Sequence, residues 1–296
     1  YVPVSFGLIA GRNRGDLFDP IRLTSIHPWH VAHDARFENV GQWKRPWYFP
    51  RDGEDMEAAV RRECHAVREG VGVMDVSTLG KIDIQGPDGL KFLNRLYTNA
   101  FDTLPIGMCR YGLLCKADGM VFDDGVVMHL GLDHYLATTT TGGAAAVLDW
   151  FEEWLQTEWT DLQVHCTSVT DHWAGVAVAG PNARAVVSAL FPSIPLDTAS
   201  FPFLAVRDAE LKGFPVRLHR ITFSGELAYE LWTPNWYGRA LWESVIEAGE
   251  PLGRPPRGTG ALRALRAGQG SVHLGPGQAG AQRAKIGFFH QQDGFV

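Results

Sequence analysis

A chain of 296 residues with 45% hydrophobic side chains and 10 Trp can bury one large core or two ordinary ones. Its net charge of −6 is uneven: residues 251–296 hold six Lys and Arg against one acid, leaving 21 against 32 in residues 1–250. No apolar run reaches the ~18 residues of a membrane helix, no CxxC links Cys64, Cys109, Cys115 and Cys166, and the basic tail lacks the interleaved aromatics of a nucleic-acid platform. Membrane spans, a disulfide frame, a zinc ribbon and nucleic-acid binding are thereby set aside. Reduced core thiols and a cytoplasmic setting are expected. Tyr1-Val2-Pro3-Val4-Ser5-Phe6 has no basic n-region and no initiator Met, so it does not read as a signal peptide.

Residues 1–50 are aromatic and irregular, with a cluster at Gln42-Trp43-Lys44-Arg45-Pro46-Trp47-Tyr48. A helix is predicted over 54–70, with Met56, Val60, Cys64 and Val67 on one stripe. Lys81-Ile82-Asp83-Ile84-Gln85 alternates like a strand, and Gly86-Pro87-Asp88 opens a helix carrying Leu90, Leu93 and Leu96. That unit recurs 94 residues later, where Val176-Ala177-Val178-Ala179-Gly180-Pro181-Asn182 leads into a second helix. One repeat is too few for a solenoid and suggests two related halves in one body. Between the copies lie an Asp-Gly hairpin at 118–119, a strand at 134–140 and a helix with Leu148, Phe151, Trp154 and Leu155 on its stripe. Strands follow near 205–211, 214–222 and 224–231, then a helix from about Trp236 to Ala248. Strands that alternate with helices but also form hairpins argue for α+β, and no GxGxxG follows a strand.

Two acidic positions carry chemistry. In the hairpin's second strand Met120, Phe122, Asp124 and Val126 are expected to share a face, which sets a carboxylate among apolar neighbours. Burying it is costly unless something compensates it, so Asp124 is either a paired sheet-edge carboxylate or a functional one. In Ser224-Gly225-Glu226-Leu227-Ala228-Tyr229-Glu230-Leu231 an extended backbone would align Glu226, Ala228 and Glu230. Their face looks either at water or into a cleft, where a carboxylate suits a ligand with adjacent N–H donors. Tyr111 on the hairpin's first strand is equally a core residue. The Thr138–Thr141 run reads as ordinary strand. His27, His30 and His33 have ligand-like spacing without an evident carboxylate or supporting shell, so no metal is assigned.

Asp75-Val76-Ser77, Gly80-Lys81-Ile82, Gly86-Pro87-Asp88, Asp118-Gly119-Met120-Val121-Phe122-Asp123-Asp124, Ala179-Gly180-Pro181 and Phe223-Ser224-Gly225-Glu226 with Tyr229-Glu230 together resemble the folate-binding aminomethyltransferase family. That family includes the T-protein of the glycine cleavage system. Gly41–Tyr48 and Thr138-Thr139-Thr140-Thr141-Gly142-Gly143 resemble its branch in the carboxy-terminal half of heterotetrameric sarcosine oxidase alpha subunits.

The resemblance implies an α+β folate-binding body over 1–250 containing the repeated strand-GlyPro-helix unit. Residues 251–296 then form an atypical basic, Gly-rich tail, with no carboxy-terminal β-barrel following. It implies Asp124 as the catalytic carboxylate and a folate site lined by Tyr111, Asp123, Thr140, Phe223, Gly225 and Glu230, with Glu230 on the pterin. Thr140 stands where the family has Asn and Phe223 where it has Tyr. Gly258-Thr259 and Leu265-Arg266-Ala267-Gly268 only echo the family's Gly-rich helix start with Leu-Arg-Ala-Glu, and the family's folate-tail Arg is not expected in this chain. The implied activity is tetrahydrofolate-dependent capture of an iminium or formaldehyde carbon from oxidised sarcosine or a related N-methyl amine, giving 5,10-methylenetetrahydrofolate. FAD, FMN and NAD are expected only on other parts of a sarcosine oxidase-type complex, whose subunits are the expected partners. The alternatives are a non-catalytic folate-binding module and a structural fragment that docks flavoprotein partners.

Overall fold

The computed structural model describes Val4 and residues 21–252 and 256–268. In chain order the elements are α1 (His27–Ala32), β1 (Arg36–Val40), β2 (Trp43–Tyr48), α2 (Met56–Glu69), β3 (Gly72–Asp75), β4 (Gly80–Gln85), α3 (Gly89–Leu96), β5 (Cys109–Cys115), β6 (Val121–Gly131), β7 (His134–Thr139), α4 (Ala144–Thr157), β8 (His165–Ser168), β9 (Trp173–Ala179), α5 (Ala183–Leu190), β10 (Val206–Leu211), β11 (Phe214–His219), β12 (Ala228–Pro234), α6 (Gly238–Gly249) and α7 (Thr259–Gly268).

A β1-β2 ribbon precedes two antiparallel five-stranded sheets, ordered β5-β6-β7-β4-β8 and β10-β11-β12-β9-β3. The second order reproduces the first. β4 matches β9, the hairpin strands match in turn, and each half ends in a long helix. The repeated Gly-Pro unit is therefore a repeat of the whole half. The exception is the fifth strand: β3 precedes β4 in the chain yet pairs with β9, while β8 precedes β9 yet pairs with β4. The halves have exchanged their first strands. The repeated glycines sit at the exchange. Gly86 (φ 135°) lies against the Gln163 carbonyl, and Gly180 (φ 128°) against those of Val67 and Gly70. Any side chain there would meet backbone in a conformation L-residues avoid.

Each sheet buries one face under its helices. Ile82, Ile84, Leu114, Val127 and Ala137 meet Phe92, Leu93, Val147 and Phe151 in the first half. Val178, Val216, Leu218, Tyr229 and Leu231 meet Val186, Leu241 and Trp242 in the second. The other two faces turn toward each other, joined by Cys109, Met128 and Leu136 against Val206, Ile221 and Trp232.

Three local expectations are corrected. On α2 the buried residues are Ala59, Glu63 and Val67, while Met56 is exposed. The stripe is rotated because Glu63 points inward. A bulge in the β5–β6 ladder, where Leu114 pairs with Asp123 and Cys115 with Val121, puts Phe122 on the helix side against Trp150. Phe122 and Asp124 therefore do not share a face. Finally, β12 begins at Ala228, because Gly225 turns the chain at φ +89°. Glu226 leaves the strand and pairs with Arg68 at 2.6 Å.

Residues 256–268 lie beyond the composition break at 250, yet they pack into the body. Leu262 contacts Met74, Val76 and Ala177, and Leu265 joins Val67, Ala179 and Ala228. Buried Glu63 ties this segment down by accepting from the backbone N–H groups of Phe49 (2.7 Å) and Gly258 (2.9 Å). Glu63→Ala orphans both donors. A loss of about 2–3 kcal/mol is expected in denaturant unfolding, with faster amide exchange across 258–266; an unchanged midpoint would show that the staple contributes nothing. The remainder of the basic tail lies outside the described residues.

Candidate functional site

Most of the candidate residues lie on the two sheet faces that look at each other. On the first sheet β5 and β6 present Cys109, Tyr111, Asp124, Val126 and Met128, by alternation and register. On the second, β12 presents Glu230 and Trp232, with His219 opposite Glu230 on β11.

Tyr111 donates to Asp124 Oδ2 at 2.6 Å. Tyr111 is 47% exposed; the enclosed part of its ring and the neighbouring Asp124 charge push its hydroxyl up. The phenol therefore stays a donor and Asp124 an acceptor. Asp123 points the other way and is 2% exposed. Its Oδ1 accepts from the backbone N–H groups of Asp124 (2.7 Å) and Thr140 (2.9 Å), and its Oδ2 from Thr140 Oγ1 (2.9 Å). Burial raises Asp123, and these hydrogen bonds oppose that. Asp123 is thus a brace that fixes the backbone of Asp124. Thr140, whose hydroxyl also accepts from Gly143 N–H at 3.1 Å, is part of that brace. Gly143 makes room for it: an added Cβ would overlap Asp123 Oδ2 and crowd Thr140 Oγ1. Gly143→Ala is expected to cost about 1–3 kcal/mol of stability. Wild-type melting would contradict the brace.

Glu230 is 9% exposed. Trp232 Nε1 donates to its Oε2 at 3.1 Å, and no other described side chain hydrogen-bonds the carboxylate. Burial pushes Glu230 up to about 7, opposed by the Trp232 bond and by Lys81. Glu230 also raises the Cys109 thiol, which burial already pushes up. Cys109 lies two residues before Tyr111 on the same face, so the field of Glu230 reaches the Tyr111 strand.

At the rim, Phe223 is 42% exposed with the Arg266 guanidinium 3.8 Å from its ring centroid. Arg266, on α7, also acts electrostatically on Tyr111, and its Nε is buried without a hydrogen-bond partner. Gly225 supplies the turn that starts β12, and its N–H donates to Thr222 Oγ1 at 3.0 Å. Tyr111, Asp124 and Glu230 thus lie on facing surfaces, Phe223 and Gly225 shape the edge, and Asp123 and Thr140 stand behind Asp124. His30 Nε2 meets Asp75 Oδ2 at 3.1 Å and His33 Nδ1 the Trp29 carbonyl at 2.8 Å. Among the described residues no group of three or more His, Cys, Asp and Glu could hold a metal. None of their helices is long and apolar enough to cross a membrane.

Sequence reasoning missed Lys81, His219 and Trp232. The alternation of Lys81 and Asp83 with Ile82 and Ile84 was visible, but a strand Lys reads as solvent-facing when the strand's second covering layer is unknown.

Residues 26–280 match the GCVT N-terminal domain family. The chain belongs to that family. It is 56% identical over 276 residues to the sarcosine oxidase subunit alpha of Corynebacterium sp. (strain U-96), covering 93% of this chain and 29% of that protein. Its identity to the Rhizobium meliloti (strain 1021) subunit is 43%, over 92% of this chain and 28% of that protein. The aminomethyltransferase of Bacillus subtilis (strain 168) is 28% identical over 83% of this chain and 64% of its own length. The chain therefore spans less than a third of the alpha subunits it matches. The glycine cleavage system aminomethyltransferase T of Bartonella henselae has the same fold, with a TM-score of 0.72 and 21% identity over 86% of this chain and 64% of that one. The GCVT family and the α+β body expected from the sequence are thus established.

Proposed function

We propose that this GCVT body binds tetrahydrofolate between its two sheets and captures a one-carbon unit on it, as part of a sarcosine oxidase-type complex. The observation that carries the reading is the pairing of two differently prepared carboxylates on facing surfaces. Glu230 is buried and underused as an acceptor, and Asp124 is held by a phenol and braced from behind. A pteridine's aminopyrimidine edge offers adjacent N–H donors and so fits Glu230. Arg266, stacked on Phe223 with an orphaned Nε, fits the anionic folate tail.

Bound there, tetrahydrofolate would supply two amine nucleophiles, N5 and N10, to the incoming carbon. Glu230 holds the pteridine by its amino edge and so fixes where N5 points, a proximity contribution. Asp124 would stabilise positive charge on the carbon and accept the proton that the folate amine gives up, while the donor nitrogen leaves as the amine or the carbonyl oxygen as water. Tyr111 keeps that carboxylate in one orientation. The one-carbon donor would be an iminium or formaldehyde from oxidised sarcosine or a related amine, with FAD, FMN and NAD on other parts of the complex. The names of the alpha-subunit relatives and the 56% identity support this assignment of partners.

The reading is tested by calorimetric titration of the full-length protein with tetrahydrofolate and its stable 5-formyl analogue. Saturable binding is expected, lost together with the anionic tail when a bare pteridine is used. Absence of binding to either folate would overturn it.

A further inference from the structure

Lys81 is 0% exposed, which is costly for an ammonium group. It is held rather than free: Nζ donates to the carbonyls of Ser77 (2.9 Å) and Leu79 (2.8 Å) and stands 5.0 Å from the Trp232 ring centroid. The same indole donates through Nε1 to Glu230 at 3.1 Å. A fixed cation and a buried carboxylate are therefore linked through one indole where the two sheets meet. β4 contributes the cation, and β12 the ring and the acid. Satisfying the Ser77 and Leu79 carbonyls takes an N–H donor there, not a charge.

We infer that Lys81 is a positioning residue, which keeps Glu230 in the ionised, accepting state in which it receives a pteridine's amino edge. It touches neither the ligand nor the reacting atoms. The inference rests on the folate reading of Glu230 given above.

The groups around the pair leave this task to Lys81. His219, opposite Glu230 on β11, is fully buried with both ring nitrogens unpartnered. Burial, Arg217 and Lys81 hold it well below its ordinary range, so it is neutral. Cys109 on β5 is held as a thiol. Trp232 provides a hydrogen bond but no charge. Facing Lys81 are Glu230, Asp75 on β3 and Asp171 from the turn before β9, all of which favour its charged form. Burial outweighs them and brings Lys81 down to about 8, while Glu230 stands at about 7. Lys81 lowers Glu230, so removing the cation moves the acid upward.

The test is titration of the full-length protein with 5-formyltetrahydrofolate between pH 6 and 9. Wild type, Lys81→Met and Lys81→Arg are compared, with circular dichroism as a fold check. In wild type the affinity should rise through about pH 7 as Glu230 ionises. In Lys81→Met the rise should move up by about one pH unit, giving about fivefold weaker binding at pH 7 and convergence with wild type at pH 9. Lys81→Arg should restore most of the wild-type profile. Lys81→Gln keeps an uncharged N–H donor on a side chain one bond shorter, and should reproduce the shift where Lys81→Met unfolds. A profile shifted in neither neutral variant, or a loss equal at every pH, would overturn the positioning role. Failure of wild type itself to bind would instead overturn the folate reading beneath it.

Discussion

Asp124→Asn in the full-length protein is expected to reduce formation of 5,10-methylenetetrahydrofolate by ~10²–10⁴. Folate affinity should remain within about threefold of wild type, because an amide oxygen still accepts from Tyr111 and Glu230 still holds the ligand. The captured carbon should then appear as free formaldehyde. The substitution leaves the Asp123 brace untouched, since that brace uses the Asp124 backbone N–H. A large loss of affinity would make Asp124 an anchor. Unchanged product formation would reject the catalytic role of Asp124 and leave the Tyr111–Asp124 bond as structural only.

The second large effect is expected at Glu230. Glu230→Gln keeps an oxygen for Trp232 Nε1 but presents an N–H where the ligand also offers donors. Losing a hydrogen bond to a charged acceptor costs about 1.5–3 kcal/mol, so folate should bind roughly 10- to 150-fold more weakly. The pH dependence supplies a second reading. Glu230 stands near 7, so wild type holds a neutral acid well below that pH and a carboxylate above it. Only the carboxylate accepts from both donors, so wild-type affinity rises with pH through about 7, and the variant's should be flat. A variant that retains the pH-dependent rise would show that another group governs it.

The sequence carried the halves of the molecule better than their joining. Strand-Gly-Pro-helix units at 80–96 and 173–190 are local patterns, and both are present as read. Which sheet β3 and β8 enter is not local: each pairs with a strand from the opposite half, and periodicity names no partner. The hairpin showed Tyr111 and Asp124 as neighbours. The bulge at Phe122, which turns one side chain over, has no signature in a run of apolar residues. Glu230 was legible through its alternation with Tyr229 and Leu231. Glu226 was misjudged because Gly225 permits the turn that an extended reading ignores. Lys81 and Arg266 were obscured for one reason. A cation is normally read as solvated, and only the tertiary layers, Trp232 over Lys81 and Phe223 under Arg266, show otherwise. The acid-poor composition after 250 set that stretch apart as an atypical tail; in its described part, Ala261, Leu262 and Leu265 give α7 an apolar face for the body.

A crystal structure of the full-length protein with 5-formyltetrahydrofolate tests the central claim most directly. The account predicts the pteridine between the sheets, its amino edge about 2.6–3.2 Å from Glu230 and its N5 side facing Asp124, with the glutamyl tail toward Arg266. A folate bound elsewhere on the protein, or bound with Glu230 and Asp124 both out of contact range, would contradict it.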